Sequence, residues 1–226
     1  MYFYIYILLF LNISISEDFR EIFGQDYTNA VEFMEENEFI FDSISNNYHN
    51  DASLIKSTVF PELIRYSLIR DYLEIGSLEL IYVSTGKVDF SVGTFQIKPS
   101  FIESLENYLR KFPDLKEKYA HKLNYGLERE IDIRKERIMR LKSIDFQITY
   151  LNLLYDIMEK WYPDIFKSEK EYQVRFFSTA YNRGFDEPSV EIRKYLNKKF
   201  FPYGPNANRT RYNYSNISWY FYKNDL

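Results

Sequence analysis

Apolar residues recur along most of the chain at the spacing of an amphipathic helix. The clearest pattern covers residues 127–161, where an apolar stripe advances by three, four or seven positions from Leu127 to Met158. We therefore predict one long central helix over this range. Pro163 follows directly and ends it, because proline lacks the amide hydrogen that a helix interior needs.

Helical spacing continues on both sides of this segment. Strand-like alternation of apolar and polar residues is almost absent, so the pattern predicts an all-α protein. The tail over residues 200–226 is aromatic and polar, and we expect it to pack back on the domain. The other predicted helices or apolar stretches cover residues 28–45, 51–69, 73–83, 99–111, 169–182 and 187–199.

The first sixteen residues form a separate element. Residues 1–15 are almost wholly apolar but short for a membrane span, and Ser14 and Ser16 are the small residues expected before a cleavage site. This predicts a signal peptide over residues 1–16 and a single mature domain over 17–226. The segment has no Lys or Arg, so a retained anchor or a buried strand stays open as an alternative. Export by a bacterium, to the periplasm or the medium, is the predicted localisation.

Composition narrows the chemistry. Hydrophobic residues make up 46% of the 226 residues, which excludes a mostly disordered chain, and the net charge of −4 implies no basic surface for nucleic acid. The chain has no Cys and two His, which excludes disulfides, thiolate catalysis, zinc fingers and iron–sulfur clusters. It also disfavours a Ser–His–Asp triad. The acidic clusters lack metal-ligand spacing, so we predict no metal and no cofactor.

Two short segments carry candidate chemistry. In residues 89–100, a small-residue loop bends at Gly93, and a Phe and a Gln precede the Pro that opens the next helix. In residues 176–185, a helix ends with Ala-Tyr-Asn beside Gly184.

These two segments resemble the lytic transglycosylase and goose-type lysozyme family. Residues 93–97 (Gly-Thr-Phe-Gln-Ile) are similar to its Gly-Leu-Met-Gln-Ile element, and residues 180–184 to its Ala-Tyr-Asn-Ala-Gly helix end. The resemblance covers about residues 52–185. It implies a lysozyme-like helical domain with an active-site cleft and peptidoglycan glycan strands as partner. One Glu, acting as acid and then as base, would cleave the MurNAc–GlcNAc bond and leave 1,6-anhydro-MurNAc ends.

The same resemblance implies roles for individual residues. Glu62, flanked by Phe60, Pro61, Leu63 and Ile64, is the preferred catalytic acid, because apolar neighbours keep a carboxyl protonated. Glu74 is the alternative, since its distance to Gly93 is closer to that of most family members. A surface pair with Arg65 or Tyr66 is the non-catalytic interpretation of Glu62. The implied substrate-binding residues are Gly93, Phe95, Gln96, Tyr181, Asn182 and, from a Thr-Arg-x-Tyr pattern, Tyr212, with Tyr214 sharing that claim.

Three other functions stay open. A hydrolytic lysozyme would activate water and leave reducing ends. A catalytically inactive, exported glycan-binding or structural protein with the same fold is favoured by Leu63, which stands where the family has Ser after its Glu. The last is an unrelated secreted helical interaction protein whose two motifs are coincidental. A structure with no cleft between residues 62, 96 and 181 would favour that last interpretation.

Overall fold

A computed structural model of the chain describes residues 17–69 and 75–226. The predicted signal peptide over residues 1–16 and the alternative acid Glu74 lie outside the described residues. Within those two ranges, no helix is both long enough and apolar enough to span a bilayer.

Helices account for most of the described chain, and the predicted all-α class is confirmed. The two short strands, β1 (Lys199–Phe201) and β2 (Tyr212–Asn213), pair in an antiparallel manner. The helices are α1 (Phe19–Phe23), α2 (Gln25–Glu36), α3 (Glu38–Asn47), α4 (Ala52–Ile69), α5 (Ile75–Thr85), α6 (Pro99–Lys111), α7 (Pro113–Leu123), α8 (Glu130–Leu141), α9 (Ile144–Trp161), α10 (Pro163–Phe166), α11 (Lys170–Arg183), α12 (Ser189–Tyr195) and α13 (Tyr214–Asp225).

Helix α4 forms the centre of the fold. It packs against α2, α3, α9, α11 and α13, and every residue from Leu54 to Ile64 is buried. A helix covered on all sides needs no polar face, which explains why its sequence is apolar over most positions. Asp51 begins the helix by accepting a hydrogen bond from the Leu54 amide at 3.1 Å.

The prediction of one long central helix over residues 127–161 is wrong. Helix α8 ends at Leu141 and α9 begins at Ile144, with Ser143 in an extended conformation between them. Both helices bury the same apolar stripe, so the sequence period continues through the break. Leu127 and Ile131 at the start of the stripe are exposed by 42% and 44%, so the stripe overstates the core there.

The predicted helix over residues 28–45 is also two helices. α2 and α3 meet at Asn37, whose side-chain amide donates to the Phe33 carbonyl oxygen at 2.8 Å. A short amide side chain that bonds the nearby backbone competes with helix continuation, which is the physical reason for the break.

The C-terminal tail packs back on the domain, as predicted. Helix α13 lies against both α4 and α11, and Phe221 stacks on Phe60 of α4 with ring centroids 3.9 Å apart. Near the end of the chain, the carboxylate of Asp225 accepts a hydrogen bond from the Tyr27 hydroxyl at 2.6 Å. The tail is therefore part of the core that holds α4.

We expect Phe221→Ala to destabilise the domain by about 3–5 kcal/mol, because it removes a fully buried ring and leaves a cavity against α4. The matched control is Tyr222→Ala on the same helix, where the ring is only partly buried and stacks on Trp219. Urea unfolding of both variants measures the difference. Equal losses of unfolding free energy would contradict a structural role for the α4–α13 contact.

Candidate active site

Three segments that are distant in sequence line one small cavity of about 90 Å³. They are helix α4, the loop before α6 together with the first turn of α6, and the end of α11. The lining residues are Glu62, Arg65, Ser91, Gln96, Ile97, Lys98, Phe101, Tyr181 and Asn182. Glu62, Gln96, Tyr181 and Asn182 were all singled out from the sequence, and the structure brings them together here.

Glu62 points from the buried helix α4 into this cavity and is only 3% exposed. Both of its carboxylate oxygens accept hydrogen bonds from Nη1 of Arg65, each at 2.9 Å. Burial raises the pKa of the Glu62 carboxyl above its ordinary value, because a low-dielectric surrounding disfavours the charged form. The Arg65 guanidinium and the Tyr214 hydroxyl act on this pKa in the opposite direction but do not outweigh burial.

Two buried tyrosines from neighbouring helices lie beside Glu62. Tyr181 of α11 donates its hydroxyl to the Phe95 carbonyl oxygen at 2.6 Å, and Tyr214 of α13 donates to the Thr58 carbonyl oxygen at 3.0 Å. Burial and the nearby Glu62 charge raise the pKa of both phenols well above the ordinary value. Both hydroxyls therefore stay protonated and fix the positions of the loop and of α4.

The loop that carries Gln96 is closed by a two-residue bridge. The Val92 and Ile97 amides donate to each other's carbonyl oxygens at 2.9 and 3.1 Å. Gln96 has a φ of +52°, which is strained for a residue with a side chain. Its side-chain nitrogen donates to the Gly93 carbonyl oxygen at 2.9 Å while the residue borders the cavity. Gln96 thus holds the loop and also faces the site.

Gly93 is required by the packing of this loop against the junction of α8 and α9. Its φ is +71°, and a Cβ atom would overlap the Leu141 carbonyl oxygen and the Gln147 side chain. Gln147 in turn accepts a hydrogen bond from the Phe95 amide at 3.0 Å and is 1% exposed. Sequence reasoning missed Gln147. The only signal was a polar residue within the apolar pattern of 144–158.

Three of the substrate-binding residues that the resemblance implied do not line this cavity. Gly93 acts through the loop packing described above. The Phe95 side chain is fully buried in the core, with its ring 5.6 Å from that of Phe41. Tyr212 lines a separate cavity beside Phe23, because the strand pairing of β2 directs it there. Tyr214, two residues later, is the tyrosine beside Glu62, so the candidate site takes Tyr214 in place of Tyr212.

The rim of the cavity is polar, and its lysine is paired with an aspartate. Asn182 is exposed at the end of α11, and Lys98 contributes an ammonium group that is 3.3 Å from the Asp89 carboxylate. The lining residues that the resemblance did not supply are Arg65, Ser91, Ile97, Lys98 and Phe101, and two of these, Arg65 and Lys98, are cationic. Among the described residues, no group of three His, Asp or Glu side chains is placed to hold a metal ion.

Comparison of the chain with protein-family models, with curated proteins and with solved structures gives no match.

We expect Gly93→Ala to destabilise the domain by about 3 kcal/mol or more, because the added methyl group overlaps α8–α9 backbone and side-chain atoms as well as straining φ. Gly126→Ala is the matched control. Gly126 also has a positive φ, +61°, but apart from its chain neighbours no atom of the described residues lies within 4 Å of the position that a Cβ would take. Only about 1–2 kcal/mol of conformational strain is therefore expected. Chemical denaturation measures both, and equal losses would contradict the close loop packing.

The raised pKa of Glu62 predicts a pH dependence of stability. In the window above the ordinary Glu value, the unfolded state loses this proton before the folded state does. The unfolding free energy of the wild type, relative to Glu62→Gln, should therefore fall as the pH rises from about 4.3 through the folded pKa. Urea unfolding of the two proteins across this range measures the difference. A difference that rises with pH would show that Arg65 outweighs burial.

Proposed function

We propose that this protein is an exported, lysozyme-like glycosidase that cleaves the MurNAc–GlcNAc bond of peptidoglycan, with Glu62 as its single catalytic acid. The observation that supports this is the convergence of Glu62, Gln96 and Tyr181 on one cavity. A coincidental pair of motifs would give no reason for that convergence. The lysozyme-like fold, the export of residues 17–226 and the bacterial wall as target all belong to this proposal.

The surroundings of Glu62 suit an acid catalyst. Cleavage of a glycosidic bond needs a proton on the leaving oxygen as positive charge develops at the sugar carbon. A carboxyl group buried among apolar neighbours retains its proton closer to neutral pH than an exposed one does. Once the proton has been transferred, the carboxylate can act as the base for the second step.

The number of carboxylates favours the transglycosylase over a two-carboxylate hydrolase. Glu62 supplies the only carboxylate among the residues that line the described cavity. Retaining and inverting hydrolases generally use a second carboxylate about 5–9.5 Å from the first. When the sugar's own 6-hydroxyl attacks, one carboxyl group is sufficient, and the product is a 1,6-anhydro end. A hydrolytic lysozyme stays the alternative within the same reaction class.

The size of the cavity determines where the sugar lies. About 90 Å³ is well below the roughly 300–1,000 Å³ that usually encloses a small-molecule ligand. The scissile bond would therefore lie at the mouth of the cavity, with the exposed Asn182 beside it and Gln96 below. The sugar rings would extend over the surface on either side.

A second function, a glycan-binding protein without catalysis, is favoured by one observation. Arg65 contacts both oxygens of Glu62, and this pairing supports the ionised carboxylate, which cannot donate a proton. Leu63 in place of the family's Ser is consistent with that function. The two functions differ in turnover and not in where the glycan binds.

We expect Glu62→Gln to lower the rate of peptidoglycan cleavage by the mature protein, residues 17–226, by at least about 100-fold, because the amide cannot donate the proton. Purified sacculi are digested, and the products are identified by mass spectrometry. Anhydro-muramyl ends would support the transglycosylase, whereas reducing ends would identify a lysozyme.

Glu74→Gln is the comparison variant, because Glu74 is the alternative acid. Loss of activity with Glu74→Gln alone would move the catalytic role to that residue. No product from the wild type, with sacculi still bound, would establish the binding protein instead.

A further inference from the structure

The Arg65 guanidinium is only partly used by the contacts that hold it. Nη1 alone donates to Glu62, and among the described residues the buried Nε–H group has no hydrogen-bond partner. A buried donor without a partner is unfavourable, so the present position of this side chain is not its best possible one. The two parallel N–H groups on one edge of a guanidinium are the arrangement that binds a carboxylate most strongly.

The position of Arg65 leaves it able to move. Its guanidinium lies over the Phe201 ring at 5.0 Å, and its side chain is 23% exposed, whereas Glu62 is almost wholly enclosed. Arg65 is also a lining residue of the cavity. A ligand in the mouth would therefore meet the arginine before it met the buried carboxylate.

The charges in the cavity favour an anionic ligand. Arg65 and Lys98 are both cationic, and Glu62 is the one acidic group that lines the cavity with them. From the other packed elements, the titratable groups that face Glu62 are the hydroxyls of Tyr181 on α11 and Tyr214 on α13, and both stay neutral. Asp89, which does not line the cavity, pairs with Lys98 at 3.3 Å. The site is therefore close to neutral when Glu62 is ionised and has a positive excess when Glu62 is protonated.

We propose that Arg65 is a receptor for a carboxylate on the glycan, and that a bound carboxylate draws the guanidinium away from Glu62, which then takes up a proton from solvent. This inference rests on the proposed function, because it names a ligand group for the same site. In the free protein, Arg65 pairs with Glu62 and opposes its protonation, although it does not outweigh burial. The ligand that carries the bond to be cleaved also supplies the carboxylate that releases the acid.

The first test compares two ligands that differ in one charge. Glycan strands freed of stem peptides carry the lactyl carboxylate of each muramic acid, and their methyl esters do not. By isothermal titration calorimetry with the wild-type protein, we expect the acid form to bind at least about tenfold more tightly than the ester. Equal affinities would overturn the proposal.

Variants assign the preference to Arg65. Arg65→Gln should abolish the difference between acid and ester, and Arg65→Lys should restore part of it. The matched control is Arg183→Gln, which removes a nearby cation that is paired with Glu187 at 3.4 Å and is not a lining residue. The control should keep the full preference. If Arg183→Gln or Lys98→Gln abolishes the preference and Arg65→Gln does not, the proposal is wrong.

Proton uptake separates a receptor that acts on Glu62 from a simple binding contact. Titrations near neutral pH, in buffers of different ionisation enthalpy, should show net uptake of protons with the acid ligand, and none with Glu62→Gln. Binding of the acid ligand by the wild type without proton uptake would refute the coupling.

If Arg65→Gln does not fold, the comparison of the two ligands and the proton uptake, both measured on the wild type, still decide the question. A preference for the acid ligand without glycan cleavage would support this inference and refute the proposed enzyme. Glycan cleavage without that preference would support the enzyme and refute this inference.

Discussion

The burial of the Glu62 carboxyl group is the constraint that the surrounding elements have to meet. A carboxyl group 3% exposed on a central helix loses most of its hydration, and that loss has to be offset by hydrogen bonds or by protonation. Within the described residues, Arg65 is the only cationic side chain that donates hydrogen bonds to this carboxyl group. The tyrosine hydroxyls of α11 and α13 also lie close to it. Because those two helices also pack on each other and on α4, the carboxyl group and the core are stabilised by the same contacts.

The loop on the other side of the cavity is held by a different set of contacts. Gln147 bonds the loop backbone at Phe95, and Tyr181 bonds the same residue's carbonyl oxygen from α11. The break between α8 and α9 brings Leu141 and Gln147 against Gly93, so an uninterrupted helix would not provide this surface. The helix break that the sequence period concealed is therefore part of what positions Gln96.

Sequence predicted the helices better than it predicted their ends and their side-chain directions. The helix over residues 99–111 and the start of α4 followed from Pro99 and Asp51, because their signals are local. The helix breaks at Asn37 and Ser143 could not be predicted in this way, because each depends on tertiary packing or on one side-chain hydrogen bond. The same holds for Phe95 and Tyr212. A motif gives a residue's place in the chain, whereas burial against Phe41 or pairing in β2 decides which way its side chain points.

The two proposed functions require different roles for the pairing of Glu62 with Arg65. If the ion pair were permanent, the role of the carboxylate would be structural. The loss of hydration of both groups would then have to be offset by hydrogen bonds, and a single donor nitrogen provides fewer of these than a two-nitrogen contact would. The unpartnered Nε and the partial exposure of Arg65 argue against such an optimised pair. Arg65 lacks a hydrogen-bond partner for one buried N–H group and borders the one carboxylate that lines its cavity. Its observed position is therefore better explained as one of two that a mobile side chain can take. On that argument the ion pair belongs to the ligand-free state, and it does not by itself exclude catalysis.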